Sequence, residues 1–370
     1  MNVGILTAGG DCPGLNAAIR AVGKTLTGAG YNLIGFRDGY EGLAFDRTMP
    51  LPPSTFSGIL TVGGTILHTT RSKPNKMPLD GRYVDMSSTI VENYNRHGLE
   101  CLICIGGGGT HKSALLLKEL GLNIVTIPKT IDNDLAMTDG SIGFDTALDV
   151  ATNAIDSLHS TAGSHKRIML VEIMGHRAGW LTLGSGLAGG ADVILIPEIP
   201  YDLEKVAKAL KMRAGEGKPF SIVPVAEGAV SVEESIEIAR LEKLRDEAES
   251  KKDRAQYKAQ LEELTKLRYD RIFELGAKLE GLTGLETRMT ILGHLQRGGT
   301  PSTVDRLRAT QLGCEAARCV IRKRYGVMVA LKNGATDLVP LEDVAGKRHV
   351  VTPDHPWVQD ARKLGVSFGD

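Results

Sequence analysis

The 370-residue sequence predicts an α/β fold, with parallel sheets covered by helices on both faces. Short apolar runs alternate with stretches of helical period, which is the signature of βαβ units. Glycine clusters close many of those runs, and the chain carries 44 glycines. In sheets of this kind ligands gather at the carboxyl ends of the strands, so chemistry is expected at those turns.

Taken in order, Val3–Thr7 predicts a strand ended by Gly-Gly-Asp-Cys-Pro-Gly. Leu15–Leu26 follows as a helix with Leu15, Ile19 and Val22 on one face. Tyr31–Phe36 predicts the next strand, closed by Arg-Asp-Gly. Cys101–Ile105, Asn123–Ile127, Arg167–Ile173, Asp192–Pro197 and Phe220–Ala226 predict further strands, with helices such as Thr146–Leu158 and Leu203–Ala214 between them. From about Val232 to Leu279 the rhythm breaks, and Glu, Lys, Arg and Leu crowd the chain. Leu241, Leu244 and Ala248, then Tyr257, Leu261, Leu264 and Leu267, recur at helical spacing on either side of Lys251-Lys252-Asp253. That pattern predicts two amphipathic helices, an inserted charged hairpin.

Formal net charge is zero, which argues against broad attraction to nucleic acid or anionic lipid. No apolar run approaches membrane-spanning length, and the start has neither a basic region nor a signal core, so a cytoplasmic protein is expected. Five cysteines fit a reducing compartment better than a disulfide framework. Cys101 and Cys104 form a C-x-x-C inside a strand-like run, with no second pair at ligand spacing, and read as buried filler. Cys314 and Cys319 fall on a predicted helix and read the same way.

Two glycine turns follow strands: Gly9-Gly10-Asp11, and Gly106 to Gly109 with Thr110. Backbone N–H groups there, beside a helix N-terminus, suit phosphate oxygens. Neither turn is a G-x-x-x-x-G-K-[ST] loop nor a G-x-G-x-x-G fingerprint. Arg71 and Lys73 add cations to a phosphate-site reading. Pro128-Lys-Thr-Ile-Asp-Asn-Asp134 sets Asp132 and Asp134 one residue apart, with Thr130 beside them, just past a strand. Phosphoryl transfer to an alcohol needs a carboxylate to take the hydroxyl proton and cations to hold spreading phosphate charge. An Asx-turn or helix cap is the plainer reading of a D-x-D alone. Arg167, Arg288, Arg297 and His294 are candidates to grip a phosphorylated sugar, and Glu227 to accept its hydroxyls, although singly each reads as a surface or capping residue.

Together these stretches closely resemble the phosphofructokinase family. "GILTAGGDCPGLNAAIR", "GGTIL" with Arg71, "PKTIDND", "GFDTA", "SHKR", "VEIMG", "AEG" and "TILGHLQRGGTPS" run in family order from Val3 to about Arg306. The resemblance implies two doubly wound α/β domains and commonly a homotetramer. They are drawn here as 1–143 with 297–350 for the phosphoryl donor, and 144–296 with 351–370 for the sugar phosphate. It implies ATP as co-substrate, Mg2+ and fructose 6-phosphate. Asp132 would be the general base, Thr130 would position the sugar hydroxyl, and Asp134 would support the metal. Arg167 and Arg288, one or both from a neighbouring subunit, would bind the 6-phosphate with His294 and Arg297. Met174, Gly175, His176 and Glu227 would line the sugar. Gly10, Tyr40, Arg71, Ser72, Gly107, Gly108, Gly109 and Thr110 would hold the donor.

The chain also departs from the family. Gly108 stands where an acid commonly assists the metal. Gly109 leaves room for a nucleotide and favours ATP. Lys129 is a form shared with pyrophosphate users, so a pyrophosphate-dependent enzyme stays open. His176 stands where an arginine is usual, with Arg177 one place later. With Gly108 it is the motive for a third reading, a non-catalytic paralogue. Arg20 and Lys24 are available for an effector pocket, but His159 and Glu216 occupy places where cations are expected, so weak or altered control is anticipated.

Overall fold

The computed structural model describes residues 1–266 and 270–370, so Leu267 of the expected apolar stripe lies outside the described residues. Along the chain run β1 (Asn2–Ala8), α1 (Leu15–Gly28), β2 (Asn32–Phe36), α2 (Tyr40–Ala44), β3 (Thr48–Pro50), β4 (Met77–Leu79), β5 (Arg82–Val84), α3 (Ser87–Arg96) and β6 (Leu99–Gly106). Next come α4 (Gly108–Glu119), β7 (Ile124–Pro128), α5 (Phe144–His165), β8 (Ile168–Ile173), α6 (Trp180–Ala188), α7 (Leu203–Gly215) and β9 (Ser221–Ala226). Then follow α8 (Val232–Glu247), α9 (Lys251–Leu264), α10 (Arg271–Thr283), β10 (Thr287–Ile291), α11 (Thr303–Ile321), β11 (Val327–Lys332), β12 (Ala335–Pro340), α12 (Leu341–Val344) and α13 (Pro356–Lys363). Two compact units result: Met1–Ala147 with Arg297–His349, and Leu148–Gln296 with Val350–Asp370.

The first unit holds a sheet in the order β12-β11-β7-β6-β1-β2-β3. Its inner pairs are parallel, and β12 and β3 close the two edges antiparallel. The inner strands are buried on both faces, which is why they read as continuous apolar runs and not as alternating ones. Cys101 and Cys104, three apart on β6, point to opposite faces and are both buried. Burial pushes the Cys104 thiol up to about 12, so it is inert filler. On one face Tyr40, Leu43, Ile90, Leu117 and Leu341 pack over Leu6, Leu102 and Met328. α1 and α11 pack against one another, and Gly313 permits it: a Cβ there would sit 2.8 Å from the Ala21 Cβ and 2.9 Å from the Ala18 carbonyl.

One buried carboxylate organises this unit. Asp305, on α11 and fully buried, accepts hydrogen bonds from the Gly143 and Thr146 amides, each at 2.9 Å, and from Thr146 Oγ1 at 2.6 Å. It thereby caps the N-terminus of α5, where the helix dipole favours negative charge. Arg308 lies 3.5 Å away and donates to the Ser141 carbonyl at 2.9 Å.

The second unit is built on the parallel sheet β10-β8-β9. Asp192–Pro197, expected as a strand, makes isolated bridges instead. Its backbone alternates partners: Leu195 N–H donates to the Pro224 carbonyl of β9, whereas Ile194 N–H donates to the Ser367 carbonyl of the tail. Divided between two partners, it forms no continuous ladder. The charged segment holds three helices and not two. α8 starts at a capping box between Ser231 and Glu234, and α9 at Ser250, whose hydroxyl accepts the Asp253 amide. Lys251-Lys252-Asp253 is therefore the first turn of α9. Leu241 and Leu261 are buried where α8 and α9 pack together. The third helix, α10, buries Ile272, Leu275 and Leu279 in the core of the unit with Leu170 of β8, so it is part of the body. No helix among the described residues is long and apolar enough to cross a membrane.

Replacing Asp305 by Ala strands two buried amides, a hydroxyl and an arginine. A stability loss of roughly 3–5 kcal/mol is expected, measured by urea unfolding. A loss under about 1 kcal/mol would contradict the capping role.

Candidate active site

In the first unit β1, β6 and β7 lie side by side, so their carboxyl ends set Gly9-Gly10-Asp11, Gly106-Gly107 and Lys129-Thr130 next to one another. α1 and α4 begin immediately after two of these turns. Their N-caps are Gly14 and Gly107, neither gives a side-chain cap, and neither first turn carries an acid. Two helix N-termini thus present unused N–H groups together, which is what a phosphate cradle requires.

The glycine loop is fixed from beneath. A Cβ on Gly106 would fall 2.1 Å from Thr110 Oγ1, so the strand can end there only as glycine. Thr110 is buried, and its hydroxyl donates to the Ala8 carbonyl at 3.3 Å. Tyr40 Oη donates to the Thr110 carbonyl at 2.9 Å. Tyr40, expected at the donor, is only 1% exposed: its ring lies in the core and its hydroxyl braces the loop. His111, also buried, bonds the Gly107 carbonyl through Nδ1 at 2.8 Å. A carbonyl only accepts, so Nδ1 carries the hydrogen, and burial holds the ring neutral by lowering its pKa to about 4.

Two cations overlie the first loop. Lys129 is buried and donates from Nζ to the Gly10 carbonyl, and burial lowers its pKa, with repulsion from Arg297 adding to that. Arg297 donates from Nη1 to the Asp11 carbonyl at 3.1 Å, and a Cβ on Gly10 would meet it at 2.5 Å. Arg297 was expected at a sugar phosphate; this structure seats it on the first glycine loop. Arg71 is exposed, and the Ser72 hydroxyl is taken by Glu41 Oε1 at 2.5 Å.

The Asp turn is equally constrained. The Thr130 amide donates to the Ile142 carbonyl at 3.2 Å, and Ser141 Oγ donates to the Thr130 carbonyl at 2.6 Å. Thr130 Oγ1 accepts the Asp132 amide at 3.1 Å, a local turn that leaves Asp132 half-buried. Asn133 is left-handed at φ 51°, and its carbonyl and that of Asp134 accept Nδ1 and N–H of His349, at 3.2 and 2.9 Å. The Asp134 carboxylate is half-buried and takes no hydrogen bond or ion pair among the described residues.

In the second unit the carboxyl ends of β8 and β9 carry Met174-Gly175-His176 and Glu227. Glu227 Oε1 accepts the Gly175 and His176 amides at 3.3 and 2.8 Å, while Oε2 has no partner among the described residues. His176 is left-handed, and Gly228 lets the turn pass: a Cβ there would lie 2.0 Å from the His176 carbonyl. Arg177 donates to Thr265 Oγ1, just past α9, at 2.9 Å. His294 is exposed beyond the carboxyl end of β10. Arg167 and Arg288 sit at the other end of the sheet, before β8 and at the second residue of β10, and both pair with Glu286. The six residues of β8 separate them from Gly175 by about 20 Å, too far to share one small ligand within a chain.

A family model described as phosphofructokinase matches residues 2–320. The chain belongs to the phosphofructokinase family. It is 52% identical over the whole of both chains to an ATP-dependent 6-phosphofructokinase of Propionibacterium freudenreichii subsp. shermanii. It is 49% identical to one of Spirochaeta thermophila, covering 99% of this chain and 97% of that one. Among solved structures, Pichia pastoris phosphofructokinase in the T-state is 29% identical with a TM-score of 0.77. The match covers 93% of this chain and spans only 35% of the yeast chain. A pyrophosphate-dependent phosphofructokinase from Marinobacter aquaeolei shares the fold at TM-score 0.79 and 18% identity, with 98% of this chain and 90% of that one covered.

Against this family frame, sequence reading missed His111, Glu286, Asp305 and His349. His349 and Asp305 lie far along the chain from the turns they fix, and no local pattern joins them. His111, inside the glycine loop, had a signal: a histidine in a first helical turn that is otherwise glycine and threonine. The gap at Gly108 is real space. A Cβ there would meet only Leu135 Cδ2 at 3.8 Å, and one at Gly109 would meet nothing within 4 Å. Gly108 is also the first residue of α4, where acids are favoured. Gly108→Asp is therefore expected to leave stability unchanged or raise it by up to about 1 kcal/mol in thermal unfolding. A loss above about 1 kcal/mol would show the site has no room.

Proposed function

We propose that this chain moves the terminal phosphoryl group of ATP to the 1-hydroxyl of fructose 6-phosphate, giving fructose 1,6-bisphosphate and ADP as a step of glycolysis. The observation that carries the reading is the braced Thr130–Asp132 turn beside two uncapped helix N-termini, in a chain about half identical over its full length to ATP-dependent 6-phosphofructokinases. Asp132 takes the proton as the sugar oxygen bonds to phosphorus, and the bond from phosphorus to the ADP oxygen breaks. No covalent enzyme intermediate is needed. Thr130 orients the hydroxyl. The glycine-loop amides with Lys129 and Arg297 hold the spreading negative charge. Glu227 offers its second oxygen to sugar hydroxyls.

The residues fit magnesium held largely by the donor. Among the described residues no cluster of three His, Cys, Asp or Glu side chains forms a protein cage, and the Asp134 carboxylate is unpartnered. Mg2+ commonly takes one or two carboxylates and completes its shell with phosphates and water. Asp134 would hold it, with Gly108 contributing no ligand, and the ion would neutralise charge on the donor phosphates.

The separation of Arg167 and Arg288 from Glu227 supports a 6-phosphate site completed by a second copy, hence a homo-oligomer, read here as a tetramer in the cytoplasm. The open space at Gly109 favours ATP. Lys129 motivates the second reading, a pyrophosphate-dependent enzyme with the same acceptor.

Asp132→Asn is expected to lower kcat by about 10²–10⁴-fold with stability intact. Unchanged turnover would refute the assigned base. Assayed with each donor alone, the purified protein is expected to turn over with ATP and not with pyrophosphate; the reverse result would move it to the second reading.

A further inference from the structure

We propose that Glu172 is a positioning residue for Glu227: a second carboxyl whose charge state sets how firmly Glu227 holds the Met174-Gly175-His176 turn and, with it, the sugar. The inference rests on the sugar-site reading of Glu227 above.

The sheet register places the two acids. Glu172 on β8 pairs with Val225 on β9, and Glu227 lies two residues beyond Val225, so both side chains leave the same face. Both line one cavity of about 450 Å³. On the other side of β8, Glu172 pairs with Ile291 of β10, which supplies no charge. The remaining ionisable groups around the cavity are Tyr201, Glu233 and Glu234 from the start of α8, and Arg271, Glu274 and Lys278 from α10. Of the cations lining the cavity among the described residues, Arg271 favours a charge on Glu172, but it is already bonded to Glu234 Oε1 at 2.6 Å. Glu172 itself takes no side-chain hydrogen bond among the described residues.

A carboxyl in that position is held neutral first by burial and then by the charge on Glu227, which together raise its pKa to about 7. Below that value Glu227 is the one charged member of the pair and keeps the Gly175 and His176 amides. Above it two carboxylates stand on one face of the sheet, and repulsion weakens the hold of Glu227 on the turn. Because the folded pKa is raised, the stability associated with neutral Glu172 is complete below the ordinary carboxylate range and is lost as pH rises through about 7.

The test compares wild type, Glu172→Gln and Glu227→Gln as full chains from roughly pH 6 to 9, reading KM for fructose 6-phosphate, kcat and the melting temperature. Wild-type KM is expected to rise about threefold or more across pH 7, a rise that Glu172→Gln removes while kcat keeps its own profile. Glu172→Gln should also melt progressively higher than wild type as pH rises from 5 to 8. Parallel KM profiles for wild type and Glu172→Gln, with Glu227→Gln still raising KM, would overturn the inference and leave the sugar site standing. A melting difference independent of pH would overturn it as well. Unchanged KM in Glu227→Gln would overturn the sugar-site reading and this inference together.

Discussion

The carboxylate of Asp305 is the constraint on which the Thr130–Asp132 turn depends. It is buried without a water-exposed face, and it is tolerable there because Gly143, Thr146 and Arg308 satisfy it. Those same partners lead to the chemistry. Arg308 holds the Ser141 carbonyl, the Ser141 hydroxyl holds the Thr130 carbonyl, and Thr130 holds the amide of Asp132. Asp132, the proposed base, is thus set by a relay of short polar contacts anchored in the core and not by the loop alone.

Charge is arranged to match. The glycine loop carries no acid at Gly108, and a buried lysine and an arginine overlie the neighbouring loop. Lys129 is costly to keep charged there, since burial and Arg297 both oppose it. Phosphate oxygens held at the loop, as proposed, would offset both costs. In the second unit the logic is inverted. Glu227 and Glu172 bring two carboxyl groups together; backbone amides hold Glu227, while burial and Glu227 raise the pKa of Glu172.

Much of the fold was legible in the residues. The parallel strands of the first unit announced themselves because strands buried on both faces must be continuously apolar, and glycine must stand where a strand ends against a helix. The glycine turns and the Asp turn were legible as a candidate phosphate cradle and a candidate base, because phosphate binding and proton transfer admit few residue types. Illegible were the features that depend on partners distant in sequence. Asp192–Pro197 has the composition of a strand but divides its hydrogen bonds between β9 and the tail. α10 shares the charged composition of α8 and α9 yet buries its apolar stripe in the body of the unit. Tyr40 reads as a ligand contact from its place in the motif, and only packing shows how deep in the core its ring lies.

By itself the sequence determined the fold class, the alternation of strands and helices in the first unit and the family, and it named the candidate residues for phosphoryl transfer. Each follows from local pattern: period, turn chemistry and side-chain type. Only the tertiary structure decided which groups brace the catalytic turn, where Arg297 rests, and that Arg167 and Arg288 stand at the opposite end of their sheet from Glu227. Those are relations between chain segments separated by scores of residues, and it is packing and register that set them; composition does not.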